Sequence, residues 1–182
     1  MSDTKHQPAV GVPAENLEVI PSVITTQTER IEATGLSTYE MYLQFAAANF
    51  NNMNLEGSQW PGVKLRGASL THVNLRGCDL SNSDLHYAFI GASDLRNANL
   101  SGAFLQFSQL QRSNLTNANL ENADLRESSL YDTDMTNANL TGTLFEKATY
   151  SKDTKWPKGF DPVAAGAILE EVHPSYWLCL NT

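Results

Sequence analysis

The segment ANLSGAFLQFSQLQRSNLTNANLEN, residues 98–122, carries a large apolar residue at every fifth position. The same period runs outward in both directions, from Phe50 to Tyr150, without an insertion. It comprises 21 consecutive large apolar residues, of which 15 are leucine. Two residues before each of these central residues lies a second set, from Ala48 to Ala148, which is small or β-branched everywhere except at Met53.

A period of five matches neither the 3.6-residue period of a helix nor the two-residue alternation of a strand. The chain must therefore turn each time the large residue recurs. The pattern predicts one short strand-like segment and one tight turn in every five residues, with the central residue and the small residue pointing inward. The remaining three positions are mostly Asn, Asp, Thr, Ser and Gly, which suit turns and solvent.

The units at 98–102, 118–122 and 138–142 resemble the A(D/N)LXX signature of pentapeptide-repeat proteins, and the resemblance extends over residues 48–152. It implies an all-β solenoid, a right-handed quadrilateral β-helix of about five coils with four units in each coil. The units depart from the signature at Trp60 and Tyr150 near the ends. Phe89, Phe104 and Leu144 stand where Asn or Asp is usual.

Short caps are expected at both ends, because an open β-helix end exposes unpaired peptide groups. Residues 1–36 are expected to form a partly extended arm. Residues 37–49 are predicted to form a helical cap, since Ser37 and Glu40 make a capping box. Residues 153–182 are predicted to form a C-terminal cap with a loop, a short helix over Val163–Val172 and an apolar tail over 176–180.

Two features of the C-terminal cap lead to further predictions. Trp156 and Phe160 are expected to plug the column, and this Trp-Pro-Gly-Phe segment resembles the ending of many cyanobacterial members of the family. The apolar tail is too apolar to stay in solvent. It either folds back on the column or packs on another chain, which leaves a homodimer through the tail open.

The sequence offers little that indicates catalysis. Its two cysteines form no metal-ligand pattern, and Cys78 falls on an inward position, where we expect a packing thiol. His86 follows Asp84 by two residues, but no Ser or Cys nucleophile is placed beside them. We therefore expect no catalytic, cofactor-binding or metal-binding residues and predict that the chain is not an enzyme.

Charge and hydropathy restrict the partners. The net charge of −8 disfavours nonspecific binding to nucleic acid or to anionic membranes. No apolar run reaches the roughly 18 residues of a membrane helix, and residues 1–10 lack the layout of a signal peptide. We expect a cytoplasmic protein that neither inserts into membranes nor binds nucleic acid.

Stacked coils place residues twenty apart on the same face, and one face combines several aromatic residues. Tyr87 and Phe107 share an outward position, Phe104 lies on the same face, and Phe89 lies round the corner. Exposed aromatic clusters commonly mark interaction sites. We predict a protein-binding surface here, with His86 and Arg112, together with Gln106 and Gln109, as its polar rim. The alternatives are that the rings only stack on each other, or that a terminal segment covers them.

The leading hypothesis is a rigid, non-enzymatic interaction module that binds a protein partner of unknown identity. The alternative comes from the family resemblance, because the family includes DNA mimics that modulate DNA gyrase. Such a mimic needs a long, strongly acidic rod. Residues 48–152 carry ten acidic and eight basic side chains, so the column is close to neutral and the docking module is favoured.

Overall fold

The computed structural model describes residues 45–171, and within them the chain winds as a column of stacked coils. Parallel β-bridges join residues twenty positions apart, as between Asn99 and Asn119 or between Asn119 and Asn139. Each five-residue unit thus contributes one bridged residue, and four units complete a coil. The predicted combination of one short extended segment and one turn in every unit is present throughout residues 48–150.

Hydrogen bonds between neighbouring coils hold the column along its length. The Leu100 N–H donates to the carbonyl of Asn119 at 2.7 Å, and the Asn119 N–H donates back to Ala98 at 2.9 Å. Within each unit, the N–H of the small residue donates to the preceding central residue, as from Ala98 to Leu95 at 3.0 Å. The backbone groups of every coil are therefore satisfied mainly by its neighbours, so the coils stabilise one another.

The corner after each central residue is left-handed. The residue two positions after the centre has φ between 55° and 71° throughout residues 47–147. Gly and Asn adopt this conformation at low cost, which explains their frequency at these corners. Tyr87 and Phe107 occupy two of the same corners, each with φ of 60°.

Asn and Asp are frequent immediately before the central residue for a second reason. Their side-chain oxygen accepts a hydrogen bond from the N–H two residues later, as from Ser101 to Asn99 at 3.2 Å and from Arg96 to Asp94 at 3.1 Å. This Asx turn fixes the start of each corner. The amides also form a ladder, in which Asn119 Nδ2 donates to Asn99 Oδ1 at 3.3 Å.

The core lies along the axis of the column and consists of the two inward sets that the sequence predicts. The leucines from Leu65 to Leu130 are at most 1% exposed, and the small residues beside them are buried as well. Leu140, nearer the C-terminal end, is only partly buried. Not every outward position is exposed, however, because Asp84, Asp124 and Tyr131 are buried there.

The C-terminal end departs from the regular repeat. Strand β1 (Thr149–Tyr150) pairs in parallel with strand β2 (Ile168–Leu169). Between them, Lys155 bridges Asp134 at an offset of 21 residues, so the coil contains one extra residue after Tyr150. Trp156 packs on Phe145, Tyr150 and Phe160 with ring centroids 5.1–5.4 Å apart, which agrees with the expected plug.

The structure corrects the predicted caps where it describes them. Residues 162–166 form turns and Ile168–Leu169 form β2, so the helix predicted over Val163–Val172 is wrong up to residue 171. Pairing of this segment with β1 is a long-range interaction that the local sequence does not reveal. Residues 45–49 form a turn and a bridge at Asn49, not the end of a helix. The predicted arm over 1–36, the rest of the N-terminal cap and the apolar tail lie outside the described residues.

Residues 45–171 contain no helix long and apolar enough to cross a membrane.

Candidate protein-binding surface

Four aromatic side chains meet at one corner of the column. The rings of Tyr87 and Phe107 stack with centroids 4.9 Å apart and planes 7° apart. His86 stacks on Phe104 at 5.9 Å and 11°, and its ring lies 6.5 Å from that of Tyr87. We call His86, Tyr87, Phe104 and Phe107 the aromatic patch.

The patch is open to solvent despite its internal stacking. Tyr87 is 49% exposed, Phe104 44% and Phe107 42%. The stack of Tyr87 on Phe107 arises because neighbouring coils place side chains twenty residues apart at about the spacing of neighbouring strands, roughly 4.8 Å. Each ring covers one side of its neighbour and leaves its outer edge to water, so stacking does not remove these side chains from solvent.

The structure separates the other two predicted site residues from the patch. Phe89 is 44% exposed on the next face, bridged to Ser69 and Gln109. Within the described residues it joins none of the ring pairs of the patch. Arg112 lies one corner further on, where its Nε is 3.7 Å from Asp132 Oδ2. Arg112 is therefore not part of the same contact cluster.

Two buried carboxylates lie on either side of Phe104 in the same ladder. Asp84 is 5% exposed and accepts a hydrogen bond from His86 Nδ1 at 2.6 Å, with Arg66 Nε at 3.4 Å. Burial raises the pKa of Asp84, but the hydrogen bonds from His86 and the charge of Arg66 outweigh it, and the net pKa is lowered. Asp84 thus fixes the orientation of His86 above Phe104.

Asp124 has the corresponding role below Phe104. The Arg126 side chain donates two hydrogen bonds to its carboxylate, at 2.9 and 2.6 Å, and the Arg126 backbone N–H donates a third at 3.2 Å. Gln106 Nε2 donates a fourth at 2.5 Å. Burial raises the pKa of Asp124, but the hydrogen bonds and charge of Arg126 lower it further, so the net pKa is below the usual value. The carboxylate therefore remains charged and holds both side chains in place.

A groove of about 370 Å³ opens beside Phe107. At its wall, Gln106 Oε1 is buried and has no hydrogen-bond partner within residues 45–171. A buried acceptor without a donor costs the folded state free energy. The groove is lined by His86, Gln106, Phe107, Arg126, Glu127, Glu146 and Lys147.

Arg66 belongs to this surface but was not predicted from the sequence. Arg66 lies with its guanidinium carbon 6.0 Å from the centre of the Tyr87 ring, which extends the stack of Tyr87 and Phe107 upward. Its position twenty residues before His86 was the available signal, but the contact depends on the side-chain rotamer. No group of His, Cys, Asp or Glu side chains within the described part of the chain is arranged to hold a metal ion.

Comparison with known proteins gives a family and several structural relatives. The family model for pentapeptide repeats matches eight copies over residues 44–82, 78–117 and 108–146. No curated protein sequence matches the chain. The crystal structure of alr5209, a pentapeptide repeat protein from Nostoc PCC 7120, is 32% identical, covers 72% of this chain and 92% of its own, and has a TM-score of 0.40.

Two further cyanobacterial structures are similar to this chain. HetL from Nostoc sp. strain PCC 7120, a pentapeptide repeat protein involved in heterocyst differentiation regulation, is 26% identical, with a TM-score of 0.54 and coverage of 70% of this chain. The match spans 55% of HetL, about half its length. Rfr23 from Cyanothece 51142 is 24% identical, with a TM-score of 0.50 and coverage of 65% of this chain and 95% of its own.

Proposed function

Because this chain belongs to the pentapeptide-repeat family, whose known structures are right-handed quadrilateral β-helices, we propose that it is a non-enzymatic module that binds a protein partner through the aromatic patch. The proposed module is a column of about five right-handed coils acting in the cytoplasm. Members of this family generally serve as structural or interaction modules, and the proposal assigns the second of these roles to one defined surface.

The observation that carries the proposal is that the patch costs the column stability at several positions. Tyr87 and Phe107 hold the left-handed conformation, which costs a bulky residue on the order of 1–2 kcal/mol. Phe104 stands where Asp or Asn would accept a hydrogen bond from the N–H two residues later, and its ring has no such acceptor. Residues whose conformational or hydrogen-bonding preferences conflict with the fold are expected at functional sites.

The geometry of the patch suits binding without rearrangement. The rings are already stacked, and buried Asp84 and Asp124 fix His86, Gln106 and Arg126 around them. A surface ordered before binding loses little conformational entropy when the partner arrives. Aromatic side chains are also enriched among the residues that dominate binding energy at interfaces.

The charges of the column support docking over mimicry of duplex DNA. Acidic side chains along the column pair with bases: Asp94 with Arg96 at 2.5 Å, and Asp124 with Arg126 at 2.6 Å. A duplex mimic instead needs unpaired negative charge in a regular array. A DNA gyrase supercoiling assay tests the alternative, and inhibition or protection of gyrase at micromolar protein would favour mimicry.

Affinity capture from the source cells tests the proposal. The bait is the full chain, compared with the double variant Tyr87→Asn/Phe107→Asn and with the control His72→Asn. His72 occupies the same corner position of the repeat, with φ of 59°, but on another side of the column. Mass spectrometry then compares the three sets of bound proteins.

We expect a protein that the wild type and the His72→Asn variant retain and the double variant loses. Asn is suited to the left-handed corner, so the double variant should keep the fold, and circular dichroism checks this. Identical bound proteins for all three baits would overturn the assignment of function to the patch.

A further inference from the structure

We propose that the groove beside Phe107 receives an arginine side chain of the protein partner, with its guanidinium stacked on the Phe107 ring and paired with Glu146. This inference rests on the proposed function, because it names the chemistry of the partner that binds at the aromatic patch. It gives the groove a preference for one type of side chain.

The stack of Tyr87 and Phe107 ends differently on its two sides. On the N-terminal side, the guanidinium carbon of Arg66 lies 6.0 Å from the centre of the Tyr87 ring. On the C-terminal side, Phe107 makes no second ring pair and no cation–ring contact within residues 45–171. The stack therefore carries a guanidinium at one end and is open at the other.

The groove lies at the open end of the stack. The Phe107 N–H donates to the carbonyl of Arg126 at 3.2 Å, and the Glu127 N–H donates to that of Glu146 at 3.1 Å. Glu127 therefore follows Phe107 at the same corner, one coil nearer the C-terminal end. A planar group stacked on the open face of Phe107 lies within about one strand spacing, roughly 4.8 Å, of this coil. Its edge can then reach the carboxylates that line the groove.

The charges at the groove favour a cation. Arg126 pairs with Asp124 at 2.6 Å, and Lys147 Nζ lies 4.0 Å from Glu127 Oε1. Glu146 is left without an ion pair within the described residues, so three carboxylates face two cations and one negative charge is in excess. A partner that brings one positive charge balances the groove.

The pKa of Arg126 reports the same negative potential. The hydrogen bonds to Asp124 raise this pKa above its ordinary value, and the charges of Glu146 and Glu127 raise it further. Both glutamates thus act on a guanidinium that is already inside the groove. A second guanidinium stacked on Phe107 would meet the same two carboxylates.

An arginine side chain fits this combination better than a lysine or an apolar side chain. Its guanidinium is planar and weakly hydrated, so it stacks on an aromatic face while its edge donates N–H groups to a carboxylate. A lysine ammonium forms the ion pair but has no flat face, and an apolar side chain leaves Glu146 unpaired. The groove volume of about 370 Å³ is within the usual range of ligand sites.

NMR titration of the isotopically labelled full-length protein with blocked amino acids tests this preference. The probes are Nα-acetyl-arginine amide, its citrulline analogue, which has a similar shape without the charge, and its lysine analogue, all at the same ionic strength. The dissociation constants come from the backbone amide shifts of Phe107 and Glu127. Asn97 and Asn117, which lie at another corner, serve as reference signals.

Three variants locate the binding. Phe107→Asn removes the ring and leaves a residue that suits the left-handed corner. Glu146→Gln removes the charge and keeps the shape of the side chain. Glu121→Gln is the matched control, because Glu121 has the same position in the repeat and is also exposed, but lies on another face.

We expect the arginine probe to bind with a dissociation constant on the order of 10 mM. The citrulline probe should bind about tenfold more weakly and the lysine probe about threefold more weakly, because they lose the charge and the flat face respectively. Phe107→Asn and Glu146→Gln should each weaken binding of the arginine probe about threefold, since exposed cation–ring contacts and ion pairs each contribute modestly. Glu121→Gln should bind it as the wild type does.

Three results would overturn the inference. The first is the absence of shifts at Phe107 and Glu127 with the arginine probe up to about 100 mM. The second is equal binding of the arginine and citrulline probes. The third is equal binding of the arginine probe by Glu146→Gln and Glu121→Gln.

The affinity capture described above separates this inference from the proposed function. If the arginine probe shows no preference while Tyr87→Asn/Phe107→Asn still loses a captured protein, only the arginine preference fails. If the probe binds as expected but all baits capture the same proteins, the proposed function fails, and with it the assignment of the arginine to a protein partner.

Discussion

The stacked-leucine core predicts a large difference between two chemically identical substitutions. Leu100 and Leu140 occupy the same position of the repeat and the same stack, but Leu100 is fully buried and Leu140 only partly so. Leu100→Ala removes a side chain surrounded by neighbouring coils and leaves a cavity, which typically costs about 2.7–5 kcal/mol. Leu140→Ala should cost well under half of that, because solvent already reaches this side chain.

Equilibrium urea unfolding followed by circular dichroism measures both free energies of unfolding. A domain of this size is stable by roughly 5–15 kcal/mol, so Leu100→Ala should lower the urea midpoint strongly. Because both variants replace Leu by Ala at the same position of the repeat, effects of backbone propensity and of the substitution itself are the same in both. The difference between their free energies of unfolding therefore reports the difference in burial. Equal losses in the two variants, or a loss below about 1 kcal/mol for Leu100→Ala, would refute the stacked core.

Two other predictions follow from corners and charges. Gly166→Ala should destabilise more than Gly77→Ala in the same urea assay, because a Cβ at Gly166 would lie 3.3 Å from the backbone Cα of Glu146, whereas no atom lies within 4 Å of a Cβ at Gly77. Similar losses would contradict the close stacking of Gly166 on the coil that contains Glu146. The pKa of Asp124 is lower in the folded protein than in the unfolded chain, where it is near 4. Charged Asp124 therefore stabilises the fold above about pH 4, and this stabilisation is lost as the pH falls through the folded pKa. The thermal midpoint should therefore fall below pH 4, and less steeply in Arg126→Gln; parallel pH profiles would contradict the role of Arg126.

Much of the column could be predicted from the sequence, because a strict period constrains every unit in the same way. The inward sets, the turn chemistry and the pairing of Tyr87 with Phe107 all follow from positions five and twenty residues apart. The C-terminal end could not be predicted in this way. One extra residue after Tyr150 shifts the offset to 21, and β2 forms because Ile168 pairs with Thr149, a contact without a local signal.

The candidate site was predicted in part. The stack of Tyr87 on Phe107 follows from coil stacking alone, whereas Phe104 joins the patch through the ring of His86. Burial of Asp84 and Asp124 could not be predicted, because it depends on the side-chain conformations of neighbours such as His86 and Arg126, which contact their carboxylates. Arg112 lies one corner away from the patch, beside Asp132. Assigning residues to faces from their sequence positions does not show whether two side chains make contact across a corner.

The central claim is that the patch rings serve a surface rather than the column. Its most direct test is the free energy of unfolding of Tyr87→Asn/Phe107→Asn. The variant loses one ring stack, worth about 0.5–1.5 kcal/mol, and about 1 kcal/mol of apolar burial from each of the two half-exposed rings. It also relieves two left-handed aromatic residues, at about 1–2 kcal/mol each. These terms nearly cancel, so we expect a stability within about 1.5 kcal/mol of that of the wild type. A loss of about 3 kcal/mol or more, typical of a core position, would contradict it.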